Sequence, residues 1–92
     1  MDIRKVGVVG AGQMGNGIAH VFALSGHDVL LNDLSADALE RAVATIGRNL
    51  DRQVSRGKIT AEDRAGALAR ITTTSTLSDL GGCDLVIESA TE

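Results

Sequence analysis

The sequence lacks the residues that most small domains use as bulky core or turn formers. Proline, tryptophan and tyrosine are absent from its 92 residues, and phenylalanine and cysteine occur once each. The core must therefore be built from Ala, Val, Leu and Ile, which suits a parallel sheet buried under helices. The single cysteine, Cys83, excludes an internal disulfide and is compatible with a reducing compartment.

Charge and hydropathy argue against two further classes of protein. The net charge is −3, acidic and basic residues are interspersed, and no basic patch with aromatic residues predicts a nucleic-acid partner. No apolar run approaches the ~20 residues that cross a bilayer. Strand-like residues follow Met1 directly, which leaves no room for a signal peptide. We therefore expect a cytoplasmic protein without a membrane or nucleic-acid partner.

Apolar periodicity predicts short strands that alternate with helices. The first strand, Ile3 to Val9, leads through glycines into a helix that ends at Gly26. A long amphipathic helix of about 20 residues begins after the N-cap Ser35 and ends at Gly57. The other predicted elements are strands at Val29–Leu31, Ile71–Thr74 and Leu85–Ile87, a helix opened by a Thr60–Asp63 capping box, and one helical turn at Leu77–Leu80.

This order of elements predicts an α/β, Rossmann-type doubly wound parallel sheet with a helical hairpin inserted after the second strand. The expected strand order is 3-2-1-4. Such a fold usually has about six strands, so residues 1–92 are expected to be the N-terminal part of a dinucleotide-binding domain. The apolar fourth strand would then lie at an open edge, which predicts self-association.

The loop Gly10-Ala11-Gly12-Gln13-Met14-Gly15 is the strongest functional signal. It has the pattern G-x-G-x-x-G, follows a strand, opens a helix, and precedes an acid, Asp33, by about 20 residues. Gly10 permits a sharp turn, Gly12 allows the backbone close to a pyrophosphate, and Gly15 allows the helix to pack on the sheet.

The same loop predicts the cofactor. The amides of Gln13, Met14 and Gly15 would face phosphates at the positive end of the helix dipole. Asp33 would accept hydrogen bonds from the adenosine ribose, and its charge would repel the additional phosphate of NADP. NAD is therefore the expected cofactor. The alternative is a tight strand-to-helix turn with a solvated acid nearby.

Three segments resemble the 3-hydroxyacyl-CoA dehydrogenase family, 3-hydroxybutyryl-CoA dehydrogenases among them. Residues 6–19 resemble its opening strand and glycine loop. The hairpin contains Leu50-Asp51-Arg52 and Gly57-Lys58-Ile59-Thr60, similar to an LDR…GKIT segment. Residues 84–92 are similar to DLVIEA-x-x-E, with Ser89 where alanine is usual. The likeness covers the whole chain, and the three segments in this order are more specific than the loop alone.

The resemblance implies interconversion of 3-hydroxyacyl-CoA and 3-oxoacyl-CoA by hydride transfer with NAD, within fatty acid metabolism and with 3-hydroxybutyryl-CoA as the expected substrate. It places the glycine loop and Asp33 at the adenosine half of the cofactor, and Ala90 and Glu92 beside the nicotinamide ribose. It also implies an acyl-CoA substrate for the full-length protein, a homo-oligomer, and a C-terminal helical domain that residues 1–92 do not include.

No catalytic residue can be assigned within the sequence. The His–Glu pair and the Ser and Asn side chains that act in this family match no position here, and His20 and His27 lie within and just after the first helix. Hydride transfer from a hydroxyl carbon needs a base to take the hydroxyl proton. The chain alone is therefore expected to bind NAD without turning over substrate.

The remaining reactive side chains have structural interpretations. Cys83 is expected to be a packing residue, and no spacing of His, Cys, Asp or Glu predicts a metal site. Three arginines, Arg48, Arg52 and Arg56, share one helix face. That face is either solvated surface or, as the resemblance implies, a contact for a CoA phosphate.

Two other functions are compatible with the sequence. Dehydrogenases of the 3-hydroxyisobutyrate or 6-phosphogluconate type also have a Met-Gly pair in the glycine loop, although Asp33 and the helical hairpin argue against them. A non-catalytic nucleotide-binding or structural module, like lambda-crystallin, would keep the same fold without the chemistry.

Overall fold

A computed structural model describes residues 2–89 of the chain. They form a four-stranded, wholly parallel sheet in the order β3-β2-β1-β4, which confirms the predicted doubly wound α/β class and strand order. The elements are β1 (Lys5–Val9), α1 (Gln13–Leu24), β2 (Asp28–Asn32), α2 (Ala36–Ser55), α3 (Ala61–Ala69), β3 (Ile71–Thr74), a 3₁₀ helix (Leu77–Gly82) and β4 (Leu85–Glu88).

The core is aliphatic, as the composition predicts. β1 and β2, the two inner strands, are almost wholly buried, since helices and neighbouring strands cover them. α1 turns its small residues Gly15, Ala19 and Ala23 inward, and their four-residue spacing keeps them on one helix face. The largest fully buried side chains are those of Val6, Val8, Val29, Leu31, Ile46 and Leu50.

Helix ends follow the predicted local chemistry. The Ser35 hydroxyl accepts a hydrogen bond from the Ala38 amide at 3.1 Å and caps α2. Thr60 and Asp63 form a reciprocal capping box at the start of α3. Gly57, after α2, has a φ of 71°, in the left-handed region that favours glycine.

The start of β1 differs from the prediction: the strand begins at Lys5, not at Ile3. The amides of Arg4 and Lys5 both donate to Oδ2 of Asp84, at 2.9 and 3.0 Å. Asp84 directly precedes β4, so a side chain rather than a strand backbone receives these amides. Sequence periodicity does not register such a contact, because it joins residues 80 positions apart.

The helical hairpin packs against α1 through polar contacts as well as apolar ones. His20 on α1 hydrogen-bonds Gln53 on α2 at 2.8 Å. A guanidinium nitrogen of Arg70, after α3, donates to the carbonyl of Ala23 at 2.8 Å. This cation lies at the carboxyl end of α1, where the helix dipole favours positive charge. The hairpin therefore holds α1 at both its face and its end.

Candidate cofactor-binding site

The glycine loop leaves β1 through a turn that only glycine adopts readily. Gly10 has a φ of 99°, a conformation that costs side-chain-bearing residues energy. Its amide donates to the carbonyl of Asn32 at 2.7 Å. The loop therefore begins anchored to the end of β2, the neighbouring strand.

Gly15 is the point of closest approach between α1 and the loop. A Cβ placed on Gly15 would lie 1.7 Å from the carbonyl oxygen of Gly10 and 2.9 Å from Oγ of Ser89. The first distance is far below any van der Waals contact, and its partner is backbone. This geometry bears out the packing role expected of Gly15.

The amino end of α1 offers backbone amides to an anion. Gly12 is the N-cap and has no side chain to satisfy them, and the first turn of the helix contains no acidic residue. The first amides of a helix have no intrahelical acceptor, and the dipole favours a negative charge there. Gln13 and Met14 are exposed, so this end of α1 is open to solvent.

Asp33 is fixed by the loop that it was expected to serve. One carboxylate oxygen accepts the Ala11 amide and the other accepts the Ser35 amide, each at 2.9 Å. These two donors, Ala11 first, hold the pKa of Asp33 below its ordinary value of 3.8. Asp33 is therefore a fixed anion at neutral pH, and each of its oxygens keeps a lone pair for a further donor. Its role as an anchor of the loop was not predicted from the sequence.

Two clefts border this region, and a third lies apart from the loop. Asp33 lines one of about 270 Å³ together with Gly10, Asn32 and two exposed leucines, Leu34 and Leu77. A second, of about 460 Å³, lies on the other side of the loop, between the start of α1 and α2. The largest, about 600 Å³, lies between α2 and β3 and contains no residue of the glycine loop.

Ser89 is a site residue that sequence reasoning missed. Ser89 as a whole is 3% exposed. Its hydroxyl lies 2.8 Å from the carbonyl oxygen of Val9 and 3.0 Å from that of Gly10, so one proton is shared between two acceptors. The end of β4 is thereby tied to the start of the glycine loop. The only signal in the sequence is a serine where the family usually has alanine.

Other predicted residues lie away from this cluster or outside the described residues. Ala90 and Glu92, expected beside the nicotinamide ribose, are not among residues 2–89, and their role stays a prediction. Cys83 packs against β1, since a Cβ on Gly7 would lie 3.0 Å from its sulfur, which agrees with a packing role. Within the described part of the chain, no three His, Cys, Asp or Glu side chains group as metal ligands.

None of the helices among residues 2–89 combines the length and the apolar character needed to cross a membrane. The longest, α2, is amphipathic and buries one stripe against the rest of the fold: Leu39, Ala42, Ile46 and Leu50.

Comparison with known proteins identifies the family. The protein-family model described as "3-hydroxyacyl-CoA dehydrogenase, NAD binding domain" matches residues 5–92. A 3-hydroxybutyryl-CoA dehydrogenase of Bradyrhizobium diazoefficiens is 61% identical over 98% of this chain and 31% of its own length. A 3-hydroxyadipyl-CoA dehydrogenase of Escherichia coli is 46% identical over 100% of this chain and 19% of its own length.

Solved structures agree. A crystal structure of 3-hydroxybutyryl-CoA dehydrogenase from E. coli superposes with a TM-score of 0.96 and 46% identity, over 100% of this chain and 20% of that one. The (S)-3-hydroxybutyryl-CoA dehydrogenase of Ralstonia eutropha superposes with a TM-score of 0.95 and 48% identity, over 99% of this chain and 32% of that one. A lactate dehydrogenase of Cryptosporidium parvum shares the fold alone, with a TM-score of 0.63 and 24% identity.

The chain thus spans about a third or less of the relatives it matches. The match extends over both the glycine loop and the helical hairpin. The turn at Gly10, the bare N-cap at Gly12 and the fixed carboxylate of Asp33 fit the cofactor named in the family description. The chain belongs to the 3-hydroxyacyl-CoA dehydrogenase family, as its NAD-binding domain.

Proposed function

We propose that this chain forms the adenosine-side half of the NAD(H) site in an enzyme that interconverts 3-hydroxybutyryl-CoA and 3-oxobutyryl-CoA. One observation carries the proposal: the glycine loop and Asp33 form a single hydrogen-bonded unit in a chain 61% identical to a 3-hydroxybutyryl-CoA dehydrogenase. A tight turn with a merely solvated acid would not need that hydrogen bond.

The proposed contacts follow the geometry. The amides of Gln13, Met14 and Gly15 hold the diphosphate, and Gly12 allows its close approach. Asp33 accepts the ribose hydroxyls, and the cleft between Leu34 and Leu77 receives the adenine. The full set of proposed cofactor residues is Gly10, Ala11, Gly12, Gln13, Met14, Gly15, Asp33, Ala90 and Glu92.

The charge of Asp33 sets the choice of cofactor in this proposal. Because two amides keep the carboxylate ionised, a 2′-phosphate would meet an anion beside the ribose. NAD carries a hydroxyl at that position, which donates to the carboxylate instead. When bound, the nicotinamide supplies the hydride chemistry, while the protein supplies position and electrostatics.

The proton of the substrate hydroxyl needs a base from outside residues 2–89. His20 is engaged with Gln53. His27 packs edge-on against Phe22 after the carboxyl end of α1, and a 12-residue helix separates that end from the loop by about 18 Å. We therefore propose that residues 1–92 bind the cofactor, while a catalytic remainder and a C-terminal helical domain complete the enzyme.

The exposed face of α2 is the proposed contact for the acyl-CoA substrate. Arg48 and Arg52 are exposed, and within residues 2–89 their hydrogen bonds join only near neighbours on the same helix, Thr45 and Asn49. Those contacts are weak enough to be exchanged for a CoA phosphate, with Arg56 extending the same row. A cytoplasmic location and a homo-oligomeric full-length protein belong to the same proposal.

The cofactor site is tested by titrating the chain with NADH and NADPH while following nicotinamide fluorescence. We expect saturable NADH binding and weaker NADPH binding. Gly12→Val should abolish both, because the added side chain would block the close approach of the diphosphate. The backbone of Gly12 is extended, with φ −70° and ψ −166°, which valine can adopt, and thermal unfolding of the variant checks that the fold is kept.

Asp33→Asn should reduce the ratio of NADH affinity to NADPH affinity, because it removes the negative charge beside the ribose. Asp28→Asn is the matched control, because Asp28 is exposed at the opposite end of β2, the strand that Asp33 follows. Absence of NADH binding by the unaltered chain, or equal binding of NADPH, would contradict the proposed site.

The substrate is tested in a chimera. The matching segment of the B. diazoefficiens relative is replaced by this chain, and NADH oxidation is followed with 3-oxobutyryl-CoA. Activity comparable to that relative's would support a dehydrogenase role. A folded chimera that binds NADH without turnover would instead favour a non-catalytic module.

A further inference from the structure

The cleft between the glycine loop and α2 has no role in the proposed function. Its volume is about 460 Å³. One wall is the turn that would carry the cofactor diphosphate, and the other is the second to third turn of α2. The lining residues are Ala11, Gly12, Gln13 and Asn16 on the loop side, and Ala38, Arg41, Ala42 and Thr45 on the helix side.

Arg41 is the only charged residue that lines this cleft in the described part of the chain. It is exposed, and no hydrogen bond or ion pair engages it among residues 2–89. Other arginines are engaged: Arg64 pairs with Asp51, and Arg70 bonds the end of α1. Arg56 also has no such partner among residues 2–89, but it lies at the C-terminal end of α2. Arg41 combines a free guanidinium with a position beside the glycine loop.

The acidic residues nearest to Arg41 in sequence do not neutralise it. Glu40 lines the separate cleft between α2 and β3. Asp37 lies one helical turn earlier, where an ion pair is common, yet the ion pairs within residues 2–89 join Arg4 to Asp2 and Arg64 to Asp51. The positive charge of Arg41 is therefore available to a ligand.

One amide of the glycine loop is not available to a phosphate. The Ala11 amide is already bound by Asp33. A diphosphate held by the remaining amides keeps much of its two negative charges, and a guanidinium can form charge-assisted, bidentate bonds with it. Within residues 2–89, Arg41 is the cation that lines the cleft beside the loop.

We infer that Arg41 is a cofactor-binding residue that contacts the diphosphate of NAD(H) from the α2 side of the loop. This inference rests on the proposed function. The 2′-phosphate of NADP offers the same chemistry, but the Asp33 carboxylate excludes it from the native site, so the diphosphate is the assigned partner.

The test compares ligands that differ in phosphate content. Dissociation constants of NADH, AMP and adenosine are measured for the unaltered chain and for Arg41→Ala, Arg41→Lys and Lys58→Ala. Lys58 is the control, since it is exposed in the turn after α2 and its loss changes the net charge equally. Thermal unfolding of each variant checks the fold.

We expect Arg41→Ala to weaken NADH and AMP binding about tenfold and to leave adenosine binding and the melting temperature unchanged. Arg41→Lys should recover part of the loss, and Lys58→Ala should change little. Equal effects of Arg41→Ala and Lys58→Ala, or an equal loss of adenosine binding, would overturn the inference.

NADPH binding by Asp33→Asn, with and without Arg41→Ala, distinguishes the two phosphates. An Arg41 effect confined to NADPH in that background would overturn the assignment to the diphosphate. If the unaltered chain binds no NADH, the proposed function fails first; if it binds and Arg41→Ala does not matter, only this inference fails.

Discussion

At the scale of single residues, the site depends on how closely backbone segments approach one another. Gly10, Gly15 and Ser89 meet where the ends of β1 and β4 face the start of α1. The Ser89 hydroxyl occupies space that a side chain on Gly15 would need. Packing requires glycine at position 15, and backbone conformation favours glycine at position 10. Glycines in open helix positions meet neither requirement.

Gly15→Ala is expected to destabilise the fold by about 3 kcal/mol or more, because its Cβ would collide with a backbone carbonyl that cannot rotate away. NADH binding should be lost with it. Urea denaturation measures the free energy of unfolding.

The matched control is Gly17→Ala, two residues further along α1, where an added Cβ meets nothing within 4 Å. That substitution should stabilise by about 0.5–1 kcal/mol through helix propensity. Similar outcomes for the two variants would show that the loop can yield.

Asp33 gives the fold an acid-sensitive contact. Its pKa is lowered in the folded state by the Ala11 and Ser35 amides, so its contribution to stability is fully present above its ordinary pKa of 3.8 and is lost as pH falls through the lower folded value. The difference in unfolding free energy between the unaltered chain and Asp33→Asn should therefore shrink as pH falls below about 4.

Denaturation at several pH values between 7 and 2.5 measures that difference. Asp84, whose pKa is lowered by the Arg4 and Lys5 amides, titrates in the same direction but is common to both proteins and cancels. A difference independent of pH would contradict this account of Asp33.

At the scale of elements, side-chain caps set where helices begin. The capping box at Thr60 places α3 so that Arg70, at its end, reaches the last turn of α1. Ser35 caps α2, so that this helix begins shortly after Asp33. The helices are thus positioned by polar residues at their ends and held by apolar stripes along their faces.

Thr60→Ala is expected to lower the free energy of unfolding by about 1 kcal/mol, because the Asp63 amide loses its acceptor at 3.1 Å. Thr76 is a suitable control, since it precedes the 3₁₀ helix without a side-chain cap, and Thr76→Ala should change stability much less. Chemical denaturation of both variants measures the difference. An equal loss in the two would argue against the capping box.

At the scale of the whole molecule, the parallel sheet leaves β3 and β4 as its outer strands within residues 2–89. β4 is apolar except for Glu88, and Val86 on it is 48% exposed. An outer strand with unpaired backbone groups and apolar side chains invites pairing with another chain.

We expect the 92-residue chain to self-associate in a concentration-dependent way, and Val86→Lys to reduce association by placing charge at that edge. Sedimentation velocity over a concentration series measures this. Val21→Lys, on the exposed surface of α1, controls for added charge elsewhere. A monomer at all concentrations would contradict the expectation.

Local sequence patterns were sufficient to predict much of this structure. Strand order, helix ends, the capping box and the turn at Gly10 each depend on neighbouring residues or on the general handedness of βαβ units. Contacts between distant residues were not visible in the same way. The carboxylate of Asp84 on the Arg4 amide and the Ser89 hydroxyl on Val9 join positions about 80 apart, and no periodicity marks them.

The sequence by itself therefore determined the fold class, the loop and the acid that follows it, because spacing and backbone preference are local properties. Only the tertiary structure decided that Asp33 anchors the Ala11 amide and that Arg41 lies beside the loop. Each of these depends on how α2 and the ends of the strands come together in space. That arrangement is fixed by the packing of the whole core.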